Sequence, residues 1–597
     1  MDIKRNITLL MDFYELTMSN GYFINNLKDD IAVFDLFYRK NPDDAAYSIF
    51  VGLEDIINYI LNLHFDDEDI NYLKSLNIFN DNFLNYLRNF KFSGDLYAFK
   101  EGSIVYPNVP LVTVVAPLID CQLLETAMLA TVNHETLIAT KANRIVLASK
   151  GRSVSDFGAR RAHNIDSALY GAKAAYIGGV NSTATTLAGQ LFNIPVSGTM
   201  AHSWVMAFDS EYEAFLSYAK LYPSNTILLI DTYDVINSGL KNAIKVAKDY
   251  LIPNGYKLKG VRIDSGDLAY LSKKTRIILD ENGLNDTIII ASNSLDEYKI
   301  SSLIEQGAKL DSFGVGENLI TSKSDPVFGG VYKLAGIYKN NVLEPKIKIS
   351  ATLEKITNPS FKEVYRLYNE ENKAIGDLLT LKDEIIDENT QIVDPLKPWK
   401  KIDLKQFKIK KMHIKIFEKG KLIYEIPSIL DTRNYVRYQI DNELWDEEKR
   451  FVLPHTHYLD FSKALYDLKI KLIEENKYDE VKNLCHPDFK FYSQVDTPLN
   501  SEQFIVQEKG HMDAFPGFTM RIHEIFARDD KVACYLIFEG VQTREFLGHP
   551  ASGRKVRFSL MFMITLKDGK YIEKRAHYNT ADILRLILPS NSGHAAK

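Results

Sequence analysis

The sequence is short of cysteine, of excess positive charge and of long apolar runs, and each shortage excludes a class of protein. Its 597 residues include three cysteines, Cys121, Cys485 and Cys534, and no CxxC pair. Cysteines this sparse form no disulfide framework, which favours a reducing, cytoplasmic location. The net charge of -6 provides no basic field for nucleic acid. No apolar run reaches the roughly 18 residues of a membrane helix, so we expect no membrane partner.

What is present indicates several domains, because 597 residues exceed one hydrophobic core. Residues 1–125 mix helix-like and strand-like stretches and predict an N-terminal α+β domain. Residues 126–335 alternate short apolar runs with amphipathic stretches. Residues 336–475 become rich in Lys, Asp, Glu and Tyr, and we expect them to complete the N-terminal domain or to cover the region before them. Residues 476–597 predict a separate, strand-rich unit with an aromatic core.

The middle region predicts a parallel sheet. Repeated strand–helix units favour that arrangement, and at least five strands in one run favour a closed barrel over an open sheet. In a barrel, ligands bind at the C-terminal ends of the strands. The apolar runs interpreted as buried strands are Ala174–Ile177, Thr226–Ile230, Gly260–Ile263, Thr287–Ala291 and Ser312–Val315.

Polar clusters directly follow these runs. In Gly260–Leu268, Arg262 and Asp264 are two residues apart on a strand end, so both side chains point to the same side. The following Ser-Gly-Asp turn is typical of a helix cap. A structural Arg–Asp pair with a cap explains this cluster as well as a phosphate and metal site does.

Four further stretches carry possible chemistry. Ser197–Trp204 places His202 after a Gly-Thr turn, although a lone histidine is more often structural. Ser155–Arg161 joins an aromatic ring to guanidinium groups, as a pyridine carboxylate requires, or forms a charged surface loop. Glycine-rich turns at Phe313–Asn318 and Gly178–Thr183 are typical of phosphate-binding helix starts, but each alone is weak evidence.

Taken in order, these clusters resemble the nicotinate phosphoribosyltransferase family. The segments Met11–Tyr22, Ile230–Asp234 and Val315–Tyr332 belong to the same pattern, which covers roughly residues 1–475. The resemblance implies an irregular α/β barrel of the type II phosphoribosyltransferase kind with an added N-terminal α+β domain. It also implies a homodimer that converts nicotinate and phosphoribosyl pyrophosphate to nicotinate mononucleotide and pyrophosphate, with ATP hydrolysis coupled and Mg²⁺ as cofactor.

The resemblance implies specific residue roles in catalysis. His202 would be phosphorylated by ATP, and Arg262 would bind the phosphates of the donor. Asp231 and Asp264 would serve the ribose and the pyridine ring, with Asp264 as the Mg²⁺ ligand. The backbone of Gly316 and of Glu317 would hold the 5′-phosphate. A carboxylate beside a phosphate is unfavourable unless it points away, so Glu317 departs from a simple phosphate site. The remaining substrate-binding residues would be Tyr14, with the partner subunit as one possible source, Phe157, Arg160, Asn181, Thr199, Ser292 and Asn293.

Residues 476–597 resemble a SnoaL-like domain of the nuclear-transport-factor-2 class, an α+β cone around a pocket. The alternation in Lys555–Leu560 predicts a strand with one buried face. We expect this domain to bind an unidentified small apolar ligand or to dimerise, with a second catalytic site as the alternative, since fold alone does not determine function. Its pocket candidates are Tyr492, His511, His523 and His577.

Two alternatives to the leading function stay open at this point. One is a nicotinamide phosphoribosyltransferase, because the spacing of the motifs does not separate acid from amide. The other is a non-catalytic pyridine or nucleotide sensor that signals through residues 476–597. The joint presence of His202, Arg262 and Asp264 argues against a sensor.

Overall fold

The chain forms two compact units in the computed structural model, residues 1–451 and 452–597. No helix in the described part of the chain combines the length and apolarity that crossing a membrane requires. The structure describes residues 6–348, 357–387, 390–394, 397–446, 448–449, 469, 472–473, 475, 477–493, 497–528, 531–567, 570–577 and 580–588.

The first unit mixes an antiparallel sheet, a parallel sheet and their surrounding helices. Its strands are β1 Ile31–Phe37, β2 Ser48–Ile49, β3 Asp95–Phe99, β4 Ile104–Val105, β5 Val112–Pro117, β6 Ser153–Asp156, β7 Ser182–Thr183, β8 Ile227–Leu229, β9 Gly260–Ile263, β10 Ile288–Ala291, β11 Ser312–Val315, β12 Val331–Lys339, β13 Val342–Pro345, β14 Lys362–Tyr368, β15 Ala374–Leu381, β16 Gln391–Asp394, β17 Lys397–Asp403, β18 Lys408–Lys411, β19 His413–Glu418 and β20 Lys421–Leu422.

The helices of this unit mostly begin at capping residues. Asn164, Ser210 and Asp296, for example, accept a backbone N–H at the start of their helices. The helices are α1 Phe13–Ile24, α2 Leu53–Asn62, α3 Asp67–Ser75, α4 Asp81–Arg88, α5 Leu118–Gln122, α6 Glu125–Ala148, α7 Ile165–Ile177, α8 Thr186–Phe192, α9 His202–Met206, α10 Glu211–Leu221, α11 Leu240–Val246, α12 Leu268–Glu281, α13 Glu297–Glu305, α14 Glu317–Ile320 and α15 Ile429–Asn442.

A seven-stranded antiparallel sheet joins the beginning and the end of this unit. Its order is β13-β12-β1-β5-β3-β19-β20. Strand β1 is paired with β5 on one side and with β12 on the other. Strand β3 is paired with β19, so residues from the region after 336 complete the sheet that the first residues begin. The core on this sheet is apolar and fully buried at Leu36, Leu96 and Val114.

The second sheet of this unit is parallel and has the order β7-β6-β11-β10-β9-β8. Within the described residues its edge strands β7 and β8 share no ladder. The sheet is therefore a curled half-barrel and not the closed barrel that the number of strands favours. The edge strands are only two and three residues long, which leaves too few backbone groups to close the ring.

One strand prediction is wrong. Ala174–Ile177 forms the last turn of α7, and the strand of this region is β7 at Ser182–Thr183. A short buried apolar run does not distinguish a strand from a buried helix, and alanine favours the helix. Helix α6 runs unbroken through Asn133.

A buried ion-pair network connects the N-terminal part of this unit to the parallel sheet. The ammonium of Lys141 lies 3.0 Å from Asp43 and 2.8 Å from Glu297. Glu297 also accepts a hydrogen bond from Arg144 at 3.1 Å. The network therefore links α6 to α13. Removing one of its side chains would leave a buried charge unpaired, which is strongly destabilising.

The second unit is a five-stranded sheet with three described helices. The sheet order is β21-β25-β24-β23-β22. Leu472 and Ile473, which precede the predicted boundary at 476, pack into the core of this unit. The elements are β21 Cys485–Tyr492, β22 Thr519–Arg528, β23 Lys531–Val541, β24 Lys555–Lys567, β25 Lys570–His577, α16 Tyr478–Asn483, α17 Ser501–Met512 and α18 Thr580–Ile587.

Gly239 provides a stability test of the parallel sheet. A Cβ at this position would lie 1.9 Å from the carbonyl oxygen of Ile230, which follows β8. We expect Gly239→Ala to lower the free energy of unfolding by about 1–3 kcal/mol, the usual cost of overpacking. Urea denaturation of the full chain measures this. Gly376→Ala is the matched control, because its added Cβ meets nothing within 4 Å. Equal stability of the two variants would contradict the close approach.

Candidate active site

Polar residues from several strands of the parallel sheet meet at one edge. Strand β6 ends at Asp156, β8 is followed by Asp231 and β9 by Asp264. Strand β10 is followed by Ser292, and β11 by Gly316. Because the strands are parallel and in hydrogen-bonded register, their C-terminal ends bring these residues to the same edge.

Asp231 joins the loops after β8 and β9. Its Oδ2 atom accepts a hydrogen bond from the backbone amide of Asp264 at 3.0 Å and from the hydroxyl of Ser265 at 2.6 Å. Its Oδ1 atom is buried and has no hydrogen-bond partner among the described residues. A buried carboxylate oxygen without a donor is costly, so this atom is available to a ligand or a cation.

Asp264 lies between a hydroxyl and an imidazole. Its Oδ1 atom accepts a hydrogen bond from Ser292 at 2.5 Å, and its Oδ2 atom lies 4.0 Å from Nε2 of His202. The other ring nitrogen of His202, Nδ1, lies 3.1 Å from the hydroxyl of Thr232. The His202 side chain is 42% exposed, so its ring is held on one side and open on the other.

Arg262 is a half-buried guanidinium with directed contacts. It donates one hydrogen bond to the Thr199 hydroxyl and one to the Met200 carbonyl, both at 2.8 Å. Its Nε atom is buried without a partner among the described residues. Burial lowers the pKa of Arg262 below its ordinary value, and the positive charge of Arg160 acts in the same direction. The carboxylates of Asp264 and Asp231 act in the opposite direction, so this guanidinium lies among charges of both signs.

The aromatic ring of Phe157 lies directly on the glycine strand β11. A Cβ on Gly314 would lie 2.4 Å from a ring carbon of Phe157, and one on Gly316 would lie 3.2 Å from its carbonyl oxygen. The amide of Phe157 donates to the carbonyl of Val315 at 2.8 Å. Glycine at these positions therefore allows the ring to sit at the sheet edge, and Arg160 follows on the exposed turn Ala159–Arg161.

The carboxylate of Glu317 interacts with basic side chains. It accepts a hydrogen bond from Lys323 at 2.7 Å and lies 3.9 Å from Arg161. The hydrogen bond from Lys323 lowers the pKa of Glu317. This arrangement neutralises the carboxylate that the sequence places beside a glycine turn.

Three predicted residues have local roles or lie apart from this cluster. Asn181 accepts a hydrogen bond from the amide of Val154 at 3.0 Å, which fixes the start of β6. Asn293 has a positive φ of 89° in the loop after β10. Tyr14 is 43% exposed on α1, where burial and the neighbouring Glu125 carboxylate raise its pKa.

Several contacts that organise this edge involve residues outside the predicted site. The Thr232 hydroxyl lies in hydrogen-bond contact with Nδ1 of His202, and the Ser265 hydroxyl donates a hydrogen bond to Asp231. Buried Asp156 accepts hydrogen bonds from the amide of Gly158 and the hydroxyl of Thr183, both at 2.8 Å. Thr232 and Ser265 directly follow the two aspartates in sequence, which is the signal that points to them.

The second unit contains a cavity of its own, with an open volume of about 540 Å³. Its lining includes His511, whose pKa is lowered by burial, but not Tyr492 or His523. Tyr492 lies under the guanidinium of Arg575, and His523 is exposed beside Tyr535. His577 ends β25, and its side chain is outside the described part of the chain.

Comparisons with known families match both units. The model of the nicotinate phosphoribosyltransferase (NAPRTase) family matches residues 152–386, and its N-terminal and C-terminal domain models match residues 9–133 and 361–469. The model of SnoaL-like polyketide cyclases matches residues 463–587.

Individual relatives cover most of the first unit. A nicotinate phosphoribosyltransferase of Bacillus subtilis is 42% identical over 475 residues, which cover 79% of this chain and 96% of the relative. The human nicotinate phosphoribosyltransferase is 29% identical over 522 residues, covering 77% and 95%. A crystal structure of the human nicotinic acid phosphoribosyltransferase superposes with a TM-score of 0.66 at 27% identity, covering 74% of this chain and 96% of that one.

The bridging role of Asp231 is open to a stability test. Asp231→Ala leaves the amide of Asp264 and the hydroxyl of Ser265 without their acceptor, so we expect a loss of about 1–3 kcal/mol in unfolding free energy. Asp231→Asn retains an oxygen acceptor and should lose clearly less. Urea denaturation of both variants measures the difference. An equal loss would show that the two hydrogen bonds do not stabilise the loops.

Proposed function

Because the chain belongs to the nicotinate phosphoribosyltransferase family, we propose that its strand-end site joins nicotinate to phosphoribosyl pyrophosphate. The chain is an enzyme of NAD salvage, and nicotinate, phosphoribosyl pyrophosphate and ATP are its substrates. The observation that carries the assignment to this site is the convergence of Arg262, Asp264 and His202 at one sheet edge.

The donor is a polyanion, and the chain as a whole is acidic, so binding needs local cations. Arg262 is assigned to the phosphates of the donor, since its contacts to Thr199 and Met200 fix the direction of its guanidinium. Arg160 is assigned to the nicotinate carboxylate and Phe157 to the pyridine ring. The guanidinium is exposed and the ring lies on the glycine strand, which supports both roles.

In the transfer step, the pyridine nitrogen forms a bond to the anomeric carbon of the ribose while the bond to pyrophosphate breaks. The sugar carbon becomes positively charged between these events. The carboxylates of Asp231 and Asp264 are assigned to stabilise that charge, since preorganised charges aimed at the reacting atom lower the barrier. Their positions are set before substrate arrives, by Ser265 for Asp231 and by Ser292 for Asp264.

His202 is assigned to the coupled use of ATP. The contact of Nδ1 with Thr232 leaves Nε2 as the nitrogen that attacks the γ-phosphorus, forming an N–P bond as ADP leaves. The phosphorylated ring would carry negative charge beside Asp264, which lies 4.0 Å from Nε2. Hydrolysis of the N–P bond by water would reset the ring after product formation.

Mg²⁺ fits the donor set of this edge. Asp231 Oδ1 is buried without a partner, and Asp264 has an open carboxylate oxygen. Among the described residues no cluster of three or more His, Cys, Asp or Glu side chains forms a protein-only metal cage. Mg²⁺ is typically held by one or two carboxylates together with substrate phosphates. When bound, it would neutralise the pyrophosphate as a leaving group.

The remaining assignments complete the proposal. The backbone of Gly316 and Glu317 would hold the 5′-phosphate, and Asn181 and Asn293 would line the nucleotide site. In a homodimer, Tyr14 would reach the pyridine ring of the nicotinate that is bound in the site of the partner subunit. The exposed position of Tyr14 on α1 supports this role. Within the first unit, residues 1–125, 126–335 and 336–451 would form the N-terminal, half-barrel and C-terminal parts, since Leu472 and Ile473 pack into the core of the second unit.

The role of His202 predicts a specific kinetic signature. We expect wild-type enzyme, given nicotinate, phosphoribosyl pyrophosphate and Mg²⁺, to form nicotinate mononucleotide about tenfold faster with ATP, which is about 1.4 kcal/mol of barrier. His202→Ala should keep the slow rate and lose the ATP response. Chromatography of the product measures both. His64→Ala, at an exposed histidine, is the control. An ATP response that survives in His202→Ala would contradict the assignment.

Arg262 predicts a change in donor affinity. Arg262→Lys removes the two-pronged contact with Thr199 and Met200, so we expect the KM for phosphoribosyl pyrophosphate to rise about tenfold or more. The KM for nicotinate should change much less. Initial rates at varied donor concentration measure this. Arg437→Lys, at a side chain that is 83% exposed, is the matched control. An unchanged donor KM would remove Arg262 from the phosphate site.

A further inference from the structure

An unusual group of charges that the proposed function does not use lies beside the cavity of the second unit, and two of them, Glu508 and Lys574, line it. Lys469, Glu508 and Lys574 lie together with side chains that are 3%, 9% and 12% exposed. The Glu508 Oε1 atom is 2.7 Å from the ammonium of Lys469 and 3.6 Å from the Nζ of Lys574. One lysine would be enough to neutralise the buried carboxylate of Glu508. Here two lysines lie beside it.

Lys574 occupies an aromatic enclosure. Its Nζ atom lies 4.8 Å from the ring centre of Phe504, 5.0 Å from that of Phe562 and 5.6 Å from that of Phe491. Lys574 also lines the cavity of about 540 Å³, at whose wall its side chain keeps a small exposed fraction. The amine is therefore accessible from open space while being surrounded by apolar surface.

These surroundings disfavour the charged form of the amine. Burial is the main cause that lowers the pKa of Lys574 to about 7. The carboxylate of Glu508 acts in the opposite direction, and the positive charge of Lys469 adds to the lowering. A free amine is the nucleophilic form of lysine, and buried lysines of this kind serve as Schiff-base residues. An exposed lysine keeps its proton at neutral pH.

Glu508 supplies the second chemical requirement. Its Oε2 atom is buried and has no hydrogen-bond partner within the described residues. The nearby ammonium of Lys469 lowers the pKa of Glu508, which keeps the carboxylate charged. A charged oxygen with a free position accepts a proton or a hydroxyl hydrogen bond from a bound molecule and stabilises a cation beside it.

We propose that this cavity binds a small, largely apolar aldehyde or ketone and that Lys574 condenses with its carbonyl group to form a protonated imine. The amine nitrogen bonds to the carbonyl carbon, and the carbonyl electron pair moves to oxygen, which takes the proton released by nitrogen. Glu508 carries that proton between the two atoms. The carbinolamine takes up one more proton from solvent and loses water, leaving an iminium cation beside the Glu508 carboxylate.

The apolar lining selects the carbonyl compound. Phe491, Phe504, Met520 and Leu560 line the cavity, so a flat or branched hydrocarbon body replaces water favourably there. The proposal concerns the second unit alone and does not depend on nicotinate turnover. Lysine modification therefore tests this proposal, and nicotinate mononucleotide synthesis tests the proposed function, so either can fail without the other.

The test uses the full-length chain with 2-naphthaldehyde and sodium cyanoborohydride, which reduces an iminium to a stable secondary amine. Peptide mapping by mass spectrometry locates the modified lysine. We expect Lys574 to be modified at least about tenfold faster at pH 7 than exposed Lys570 of the same strand, since its amine is unprotonated at lower pH. The rate at Lys574 should level off above neutral pH, whereas the rate at Lys570 keeps rising.

Three variants complete the test. Lys574→Arg should abolish the fast modification, and Lys570→Arg should leave it unchanged, with nicotinate mononucleotide synthesis equal in both. Glu508→Gln should slow modification at Lys574 about tenfold relative to wild type. The wild-type map needs no variant to fold. Modification of Lys574 no faster than Lys570, or binding of the aldehyde without reduction at Lys574, would overturn the proposal.

Discussion

The parallel hydrogen-bond register of β8 to β11 determines where Asp231, Asp264, Ser292 and Gly316 of the candidate site lie. Parallel strands end at one edge, so residues that are distant in sequence meet there without long loops. Asp231 reinforces this by bonding the amide of Asp264, which couples two strand ends through one carboxylate. Displacing either strand would therefore move both aspartates together, and His202 would lose the carboxylate that it faces.

Electrostatics at this edge depend on partial burial. The chain carries a net charge of -6, yet Arg262 is directed at the site by neutral acceptors, Thr199 and the Met200 carbonyl. Asp264 and Asp231 act on this guanidinium electrostatically, while the hydrogen bonds that direct it go to the two neutral acceptors. Glu317, in contrast, is matched by Lys323, so its negative charge does not oppose an anionic ligand at the neighbouring glycine turn.

Local chemistry was predictable from sequence, and long-range contacts were not. The structure brings Arg262 and Asp264 to the same end of β9, as two-residue spacing on a strand predicts. The bond from Arg262 to Thr199 spans 63 residues and depends on how the loop before α9 folds back, which no local pattern encodes. Ala174–Ile177 was misassigned because burial without periodicity suits a helix as well as a strand. In the second unit, no local pattern marks Lys574 and Glu508 as buried, because residues distant in sequence cover them.

The most direct test of the central claim compares two pyridines on the full-length enzyme. Purified protein with phosphoribosyl pyrophosphate, Mg²⁺ and ATP is given either nicotinate or nicotinamide, and the mononucleotide product is separated and quantified. The account predicts rapid formation of nicotinate mononucleotide and pyrophosphate, and little product from nicotinamide. Preferential turnover of nicotinamide would contradict the carboxylate site assigned to Arg160, and no product from either pyridine would contradict the assignment of catalysis to this strand-end edge.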